Sequence, residues 1–443
     1  MNLTGSKGLI KTNTKNRQRI IVSTDFPPLD CFPGGANFGP PEKKSDLDDI
    51  QSMVRFLCYS NEFNIEALIA SSATFANFAC KDGILDIVDE YAEVYENLCL
   101  HDPLYPSPED LRTVTKVGLS GSWGVKQIDK IIGDGLDTEA SEHIISVIDH
   151  PDPNPVWVCF WGGPRELGQA LWKVKQTRSE SDVARFVSKL RVYFVGLQDG
   201  SGQWILENFP ELKTITLHLY HGMVNRSMFD GSWLRENIVN HHGPLGAVYP
   251  TANWVCEKEG VYEGDTPSYL YLVSGAIGLS DPEKPWFGGW GGAFQSHGPN
   301  RWEGSEEAID SIAYWETALN WDFAGRMDWC VKRYEDANHH PIAILNHDSS
   351  KQVLYKTVAP EEKVSLSAKG SFDPDGRNLS YHWFQYVGDE NTPHVGIENE
   401  HQSEASLAAP QEPCEIHVIL EVTNDGSPPL TGFRRLVIKV EER

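Results

Sequence analysis

The chain is poor in positive charge, has no long apolar run and contains no CxxC cysteine pair. Its 443 residues carry 38 Lys and Arg against 63 Asp and Glu, which gives a formal net charge of −25. Because phosphate binding needs a positive face, this charge argues against nucleic acid and anionic membranes as partners. A neutral ligand or a cation is expected instead.

No apolar run approaches the roughly 20 residues that cross a bilayer, and the polar residues 1–18 lack the apolar centre of a secretory signal. We therefore expect a cytoplasmic protein, or a secreted or periplasmic one if the chain is a mature form. The eight cysteines show no Cys/His spacing suited to zinc. Cys58, Cys159 and Cys330 lie in apolar runs and are expected to be buried thiols, which favours a reducing compartment.

Strands alternate with helices as far as about residue 335, and only strands follow. The alternation predicts an α/β domain with a mostly parallel sheet covered by helices. The later strands, separated by turns such as Asp373-Pro-Asp-Gly376, predict an all-β immunoglobulin-like sandwich with Trp383 in its core. We therefore divide the chain into an N-terminal tail (1–17), an α/β domain (18–337) and a sandwich domain (342–443).

Three acids are expected at one edge of the parallel sheet. Asp25 ends the first strand, and Asp48 and Asp49 open the first helix after a Pro/Gly-rich loop from Phe26 to Lys44. Open α/β sheets bind ligands at the carboxyl ends of their strands. Like charges there raise each other's pKa unless a cation neutralises them, and calcium is a suitable one. The alternative is that Asp48 and Asp49 only stabilise the helix N-terminus.

These acids and two later segments together resemble the nucleoside hydrolases. The segments are Thr24-Asp25 with Ser45-Asp-Leu-Asp-Asp49, then Trp161-Gly-Gly-Pro-Arg-Glu166, then Asn320-Trp-Asp322. Over roughly residues 18 to 440 the chain is most similar to a branch of that superfamily that is described as cellulose-binding and has a C-terminal immunoglobulin-like domain. The resemblance implies a nucleoside-hydrolase-like α/β domain followed by the sandwich.

The resemblance also implies a role for each matching residue. Asp25 would bind Ca²⁺ and accept the proton of the attacking water, and Asp48 would bind sugar hydroxyls, which makes both catalytic. Asp49, the backbone of Gly162 and Asp322 would complete the calcium site. Trp321 replaces the His that nucleoside hydrolases use on the base side, so an ordinary nucleoside is not the expected substrate.

Further residues are expected to bind the substrate. Flat tryptophan rings suit sugar faces, and the tryptophans that adjoin a motif glycine or acid are expected near the cleft; the alternative is that they belong to the core or a domain interface. Gln198 and Asp199 follow a strand and would bind sugar hydroxyls, or Asp199 only forms a turn. Arg326, one helical turn after Asp322, would hold a substrate carboxylate or pair with the acids. Glu263-Gly-Asp265 is expected to be a turn, and the alternative is that it reaches the site. The candidate substrate-binding residues are Asp48, Trp161, Glu166, Gln198, Asp199, Trp290, Trp321 and Arg326.

The sequence thus predicts a calcium-dependent glycoside hydrolase. It would cleave an N- or O-glycosidic bond, in a furanoside or a compound derived from polysaccharide, through water activated by Asp25 and with inversion. Two alternatives stay open: a non-catalytic protein that binds a cellulose-like carbohydrate, and a ribonucleoside hydrolase. The expected partner is a carbohydrate or glycoside, with no nucleic acid and no membrane, and a homo-oligomer is left open.

Overall fold

The computed structural model describes residues 17–30, 47–72, 77–218, 229–251, 259–388 and 392–442. Its first eight strands are β1 Gln18–Thr24, β2 Phe63–Ala70, β3 Thr115–Val117, β4 Val156–Phe160, β5 Leu190–Val195, β6 Lys213–Leu217, β7 Gln295–Ser296 and β8 Arg301–Gly304. They form one sheet in the order β3-β2-β1-β4-β5-β6-β8-β7. Only the pair β7 and β8 is antiparallel. The predicted mostly parallel sheet is confirmed.

Helices cover both faces of this sheet. Ile20 and Val22 of β1 join the apolar core on one face, and Ile21 joins the core on the other face. A strand that is apolar on both faces is typical of a parallel sheet between two helical layers. The helices are α1 Leu47–Cys58, α2 Asp82–His101, α3 Pro108–Val114, α4 Glu139–Asp149, α5 Arg165–Thr177, α6 Glu180–Ser188, α7 Gly200–Asn208, α8 Gly231–Leu234, α9 Gly243–Ala247, α10 Thr266–Ala276, α11 Glu306–Ala313 and α12 Glu316–Trp329.

The strand order reverses between β1 and β4. The chain runs outward from β1 to β2 and β3, then returns to place β4 on the other side of β1. At such a switch point the loops after the two strands diverge and leave a crevice at the carboxyl edge of the sheet. Asp25 follows β1, and Trp161 and Gly162 follow β4, so the crevice lies at the predicted acids.

Two smaller sheets form the C-terminal sandwich. Their strands are β9 Leu354–Val358, β10 Lys363–Ser367, β11 Leu379–Tyr386, β12 Ile397–Glu398, β13 Glu404–Ala408, β14 Cys414–Asn424 and β15 Thr431–Val440. One sheet has the order β10-β13-β12, and the other β11-β14-β15-β9. Trp383 is fully buried between them, as expected, and its indole donates to Gln402 O at 2.9 Å. The predicted all-β domain is confirmed.

The sandwich packs closely against the α/β domain. Arg435 of β15 is fully buried and donates to the carbonyls of Leu279 at 2.6 Å, Phe287 at 2.8 Å and Gly288 at 3.1 Å. The ring of Trp315 stacks on Tyr386 with centroids 5.8 Å apart. Because Arg435 is held by backbone oxygens of the other domain, the two domains have a defined relative position.

Cys58, Cys159 and Cys330 are buried free thiols, as predicted. None of the helices in the described ranges has the length and apolar character needed to cross a membrane. Of the loop from Phe26 to Lys44, residues 31–44 lie outside the described part of the chain. The predicted effect of that loop on the cleft therefore stays a prediction.

Candidate functional site at the carboxyl edge of the sheet

Asp25 lies at the floor of the crevice, where the β1 and β4 loops separate. Its side chain is 1% exposed. A Cβ on Gly162 would lie 2.9 Å from Asp25 Oδ1 and 2.8 Å from Ser71 Oγ, so only glycine fits there. The backbone of Gly162 thus comes directly beside the Asp25 carboxylate, and the hydroxyl of Ser71, which follows β2, is close by.

Asp48 and Asp49 face the same crevice from the first turn of α1. The hydroxyl of Thr24 donates to Asp49 Oδ1, and Gly264 N donates to Asp48 Oδ2 at 2.9 Å. Burial raises the pKa of Asp49 well above its usual range, and the charges of Asp25 and Asp48 raise it further, although the Thr24 hydrogen bond opposes the shift. An acid that only stabilises a helix end is normally solvated, and these two are buried.

Asp265 is a fourth buried acid near this cluster. It is 4% exposed and comes one residue after Gly264, whose amide contacts Asp48. Its turn is fixed by a buried ion pair between Arg55 and Glu263 at 2.7 Å, and its carbonyl accepts from Ser268 Oγ at 2.7 Å. The segment Glu263-Gly-Asp265 is therefore a turn that also reaches the acids of α1.

The donors of this cluster are of the kind that calcium binds. They are carboxylate and backbone oxygens, and Asp48 Oδ1 is buried without a hydrogen-bond partner among the described residues. Across those same ranges, no three His, Cys, Asp or Glu side chains are already arranged as a cation cage. The set therefore fits calcium in its chemistry, and a cation would have to draw the carboxylates together.

Asp322 lies elsewhere, at the other end of α1. It pairs with Arg326, whose Nε is 2.8 Å from Asp322 Oδ1, and with His340. Arg326 also donates to Cys58 O at 3.1 Å and to Asn61 Oδ1 at 2.8 Å, and Asn61 O accepts from Arg17, just before β1. Asp322 is thus at the amino edge of the sheet, separated from Asp25 by the seven residues of β1, about 20 Å.

Two roles predicted for this region of α12 are therefore wrong. Asp322 cannot share a cation with Asp25, and Arg326 neither holds a ligand at the crevice nor pairs with its acids. Instead, Arg326 is buried between Asp322 and Glu62, which it contacts at 2.8 Å through Nη2. Asp322 and Arg326 therefore belong to a structural network of charges at the amino edge of the sheet.

Trp161 and Gln198 are buried at the carboxyl ends of β4 and β5, next to the crevice. Trp161 is 1% exposed, and its indole donates to Ser268 Oγ at 2.8 Å while its ring packs against Phe56 and Tyr269. Gln198 donates to the carbonyl of Trp161. Trp161 therefore supports the β4 loop and offers no ring face to a sugar.

Glu166 and Asp199 hold neighbouring loops. Glu166 pairs with Arg165 at 3.0 Å and accepts from Leu119 N at 2.9 Å, so it fixes the loop after β3. Asp199 caps α7 by accepting from Ser201 N at 2.7 Å, and Ser122 Oγ is 3.5 Å from its Oδ2. Burial raises the pKa of Asp199. Asp199 stays at the carboxyl edge, whereas Glu166 is committed to internal contacts.

Trp290 lies at the domain interface, and Trp321 lies on α12 against two aromatic rings. Trp290 is 1% exposed and packs edge-on against Phe433 of the sandwich, so it is part of the domain interface. Trp321 is partly buried against Phe229 and Trp233. Trp290 was expected near the site because it adjoins a glycine, and it instead serves the packing of the two domains. The substrate-binding role of Trp321 stays a prediction.

Trp123 is the aromatic residue that the prediction missed. It is 41% exposed and follows Ser122, whose hydroxyl contacts Ser72 Oγ at 2.8 Å at the carboxyl edge. Its backbone amide donates to Asn77 Oδ1 at 3.1 Å. The signal in the sequence is the tetrapeptide Gly121-Ser-Trp-Gly124, where both glycines have a positive φ and turn the indole outward from the loop.

Comparison with known proteins identifies the family of this site. A family model described as cellulose-binding Sde182, nucleoside hydrolase-like domain, matches residues 42–294, more than half of the chain. The chain belongs to this Sde182 family. The model of the cellulose-binding protein Sde0182 C-terminal domain matches residues 363–440.

One solved structure supports this assignment to the Sde182 family. A nucleoside hydrolase-related hypothetical protein from Saccharophagus degradans, described as associated with carbohydrate metabolism, is 34% identical over 96% of this chain and 100% of its own, with a TM-score of 0.81. The PKD domain from the KIAA 1837 protein matches 20% of this chain and 81% of its own at 21% identity and a TM-score of 0.17. A comparison with curated proteins gives no match.

Proposed function

We propose that this protein hydrolyses a glycosidic bond in the crevice between β1 and β4. The observation that carries the proposal is the convergence of buried Asp25, Asp48 and Asp49 at the switch point, with Asp265 next to them. The charges of Asp25 and Asp48 add to the effect of burial and raise the pKa of Asp49, and perturbed acids of this kind are concentrated at functional sites. The Sde182 family and its carbohydrate-associated relative favour a carbohydrate as substrate.

The carboxylates would divide the work between them. Asp25 lies deepest in the crevice and accepts the proton of the attacking water. Asp48, whose Oδ1 has no partner among the described residues, accepts hydrogen bonds from sugar hydroxyls. The negative charge of the cluster stabilises the oxocarbenium-like transition state. Because water attacks directly, the configuration at the anomeric carbon is inverted.

We propose calcium as the cation of this site. Asp25, Asp49 and Asp265, together with a backbone oxygen of the β4 loop at Gly162, would hold it. When bound, the ion lowers the pKa of water and binds neighbouring sugar hydroxyls. Asp265 takes the place that was first expected for Asp322, because Asp265 follows Gly264, whose amide contacts Asp48, and Asp322 lies at the other edge of the sheet.

Trp123 supplies a sugar-binding surface at the mouth of the crevice. Its exposed indole lies one residue from Ser122, which contacts Ser72 at the same edge. A flat amphipathic ring buries the apolar face of a pyranose or furanose while its rim stays hydrated. Trp123 is therefore the residue to which we assign ring stacking at the crevice.

A screen of aryl furanosides and pyranosides, with and without chelator, tests the proposal. For Asp25→Asn we expect the hydrolysis rate to fall about 100-fold or more, because a positioned general base contributes that much. Calcium titration by calorimetry should show one site in the wild-type protein and weaker binding in the variant. Asp336→Asn, which alters an exposed ion pair with Arg333, is the matched control and should keep both properties.

The competing function is carbohydrate binding without catalysis, which the description of the Sde182 family as cellulose-binding favours. It predicts that no glycoside in the screen is cleaved, with or without calcium, while a glucan still binds. Including inosine and uridine tests the ribonucleoside hydrolase alternative through release of free base. Unchanged hydrolysis by Asp25→Asn on every cleaved substrate would rule out the role given to Asp25.

A further inference from the structure

A pocket of about 390 Å³ lies where the two domains meet, away from the acids. Trp286 and Phe287 line it from the α/β domain, and Tyr386, Glu415 and His417 line it from the sandwich. Its volume falls within the roughly 300–1,000 Å³ typical of ligand sites. Because both domains contribute walls, the pocket forms only in the docked protein.

The pocket is near the amino edge of the sheet. Glu283, three residues before Trp286, pairs with Arg191 of β5 at 2.8 Å and with Lys213 of β6 at 2.6 Å, and both of these residues lie at the starts of their strands. The helix α10 connects the two regions. It begins after Asp265 and runs for 11 residues, about 16 Å, towards the segment that ends in Trp286. The pocket and the acid crevice are therefore separate sites.

Arg435 fixes the geometry of the pocket. It donates to the carbonyls of Phe287 and Gly288 and so holds the Trp286 loop against the sandwich. Its Nη1 also donates to His417 Nδ1 at 2.8 Å, which leaves the other ring nitrogen to donate to Glu415 Oε1 at 3.2 Å. The Glu415 carboxylate is thereby held in place while 46% of its side chain stays exposed.

Trp286 presents an aromatic surface next to these polar groups. It is 45% exposed, and Phe287 supports it edge-on at 6.0 Å. The Lys284 ammonium lies over one face of the indole, 5.2 Å from the ring centroid, and adds a hydrogen-bond donor there. An exposed indole beside a fixed carboxylate and an ammonium matches a ligand that has apolar faces and many hydroxyls at its rim.

We propose that this interdomain pocket binds a neutral glucan chain, with Trp286 stacking on a sugar ring and Glu415 accepting hydrogen bonds from its hydroxyls. An anionic polysaccharide is disfavoured by Glu415 and by the net charge of −25. The site goes beyond the proposed hydrolase, because it needs neither the acids nor calcium. It would explain how a family described as cellulose-binding holds its polymer away from the crevice.

Depletion assays with the full chain on acid-swollen cellulose, and affinity electrophoresis in hydroxyethylcellulose, test this site. We expect Trp286→Ala to weaken binding about tenfold, which corresponds to about 1.4 kcal/mol, because the substitution removes the ring that stacks on the sugar. Glu415→Gln should weaken it less. Phe372→Ala is the matched control, since Phe372 is also an exposed aromatic residue of the protein, at 44%, but lies outside the pocket lining. Unfolding temperatures show whether each variant is folded.

The outcomes separate this proposal from the proposed hydrolysis. The pocket proposal fails if the Trp286→Ala variant and the Glu415→Gln variant each bind glucan as tightly as the wild-type protein. It also fails if the wild-type protein binds neither glucan. If Trp123→Ala abolishes polymer binding while Trp286→Ala does not, the polymer is held at the crevice and the pocket proposal fails. None of these results depends on measuring hydrolysis.

Discussion

Asp49 and Asp322 are both buried carboxylates near α1, and their surroundings differ in the sign of the charge. Burial and the neighbouring charges of Asp25 and Asp48 raise the pKa of Asp49. Burial also disfavours the charged form of Asp322, but the positive charges of His340 and Arg326 outweigh it and lower the pKa of that carboxyl well below its usual range. Among the described residues no positive side chain pairs with Asp49, whereas Asp322 is held by Arg326 and His340.

Asparagine substitutions should separate these two roles. Asp322→Asn leaves Arg326 with less compensation for its burial, so we expect a loss of roughly 3–5 kcal/mol in the free energy of unfolding and unchanged calcium affinity. Asp49→Asn removes repulsion from the cluster, so we expect unchanged or higher stability without calcium and weaker calcium binding. Urea denaturation and calcium calorimetry measure both, and the opposite pattern would return Asp322 to the cation site.

The residues that sequence reasoning located well are those whose positions follow from local order. Asp25 ends a strand and Asp48 and Asp49 start the next helix, so their placement at the carboxyl edge follows from parallel pairing. Asp322 was misplaced because its neighbours along α12 say nothing about which end of the sheet the helix approaches. Its partner Arg326 contacts Cys58 and Asn61, more than 250 residues away in sequence, and no local pattern contains that contact.

At the level of elements, strand boundaries were predictable and partners across domains were not. The runs Val156–Phe160 and Leu190–Val195 are continuous apolar segments, and the structure has strands with those bounds. Alternation in β14 and β15 likewise predicts two strands of a sandwich. It does not predict that Arg435 turns towards the other domain, because a buried Arg breaks the expected pattern of that face.

His417 of β14 makes the stability of the folded protein depend on pH, because it is buried against Arg435 of β15. Burial, followed by the nearby charge of Arg435, lowers the pKa of His417 from 6.5 to about 4. Between these values the unfolded chain binds more protons than the folded one, so stability is lost as pH falls from about 6.5 to about 4. The shift corresponds to at most about 3 kcal/mol.

Urea denaturation at pH 7 and pH 4.5 measures this effect. We expect His417→Gln to lose less stability than the wild-type protein over that interval. His401→Gln, at an exposed position, is the control and should behave like the wild type. Equal losses in all three proteins would show that other groups account for the acid sensitivity.

For the whole molecule, the domain interface carries part of the stability of the α/β domain. Trp290, Trp315 and Phe287 are each at most 2% exposed, and the sandwich residues Phe433 and Tyr386 pack against this aromatic group. Without the sandwich, these rings would lie in water as one apolar patch. Patches of that kind promote aggregation.

A chain that ends after residue 341 should therefore be less soluble and bind more of a hydrophobic dye than the full chain, and it should unfold at a lower temperature. Supplying residues 342–443 as a separate polypeptide should restore solubility by covering the patch. A truncated protein that stays monomeric and keeps the unfolding temperature of the full chain would show that the interface is dispensable.

The direction of α10 determines which side of the protein faces solution when the protein is attached to a solid. Asp265 stands at one end of this helix and the Trp286 segment follows the other, so attachment through the sandwich side leaves the acid crevice turned towards solution. If the pocket and the crevice act as proposed, a tether of this kind would raise the local concentration of sugar chains at the crevice without blocking its entrance. Immobilisation through the C-terminal domain should for the same reason preserve access to the crevice.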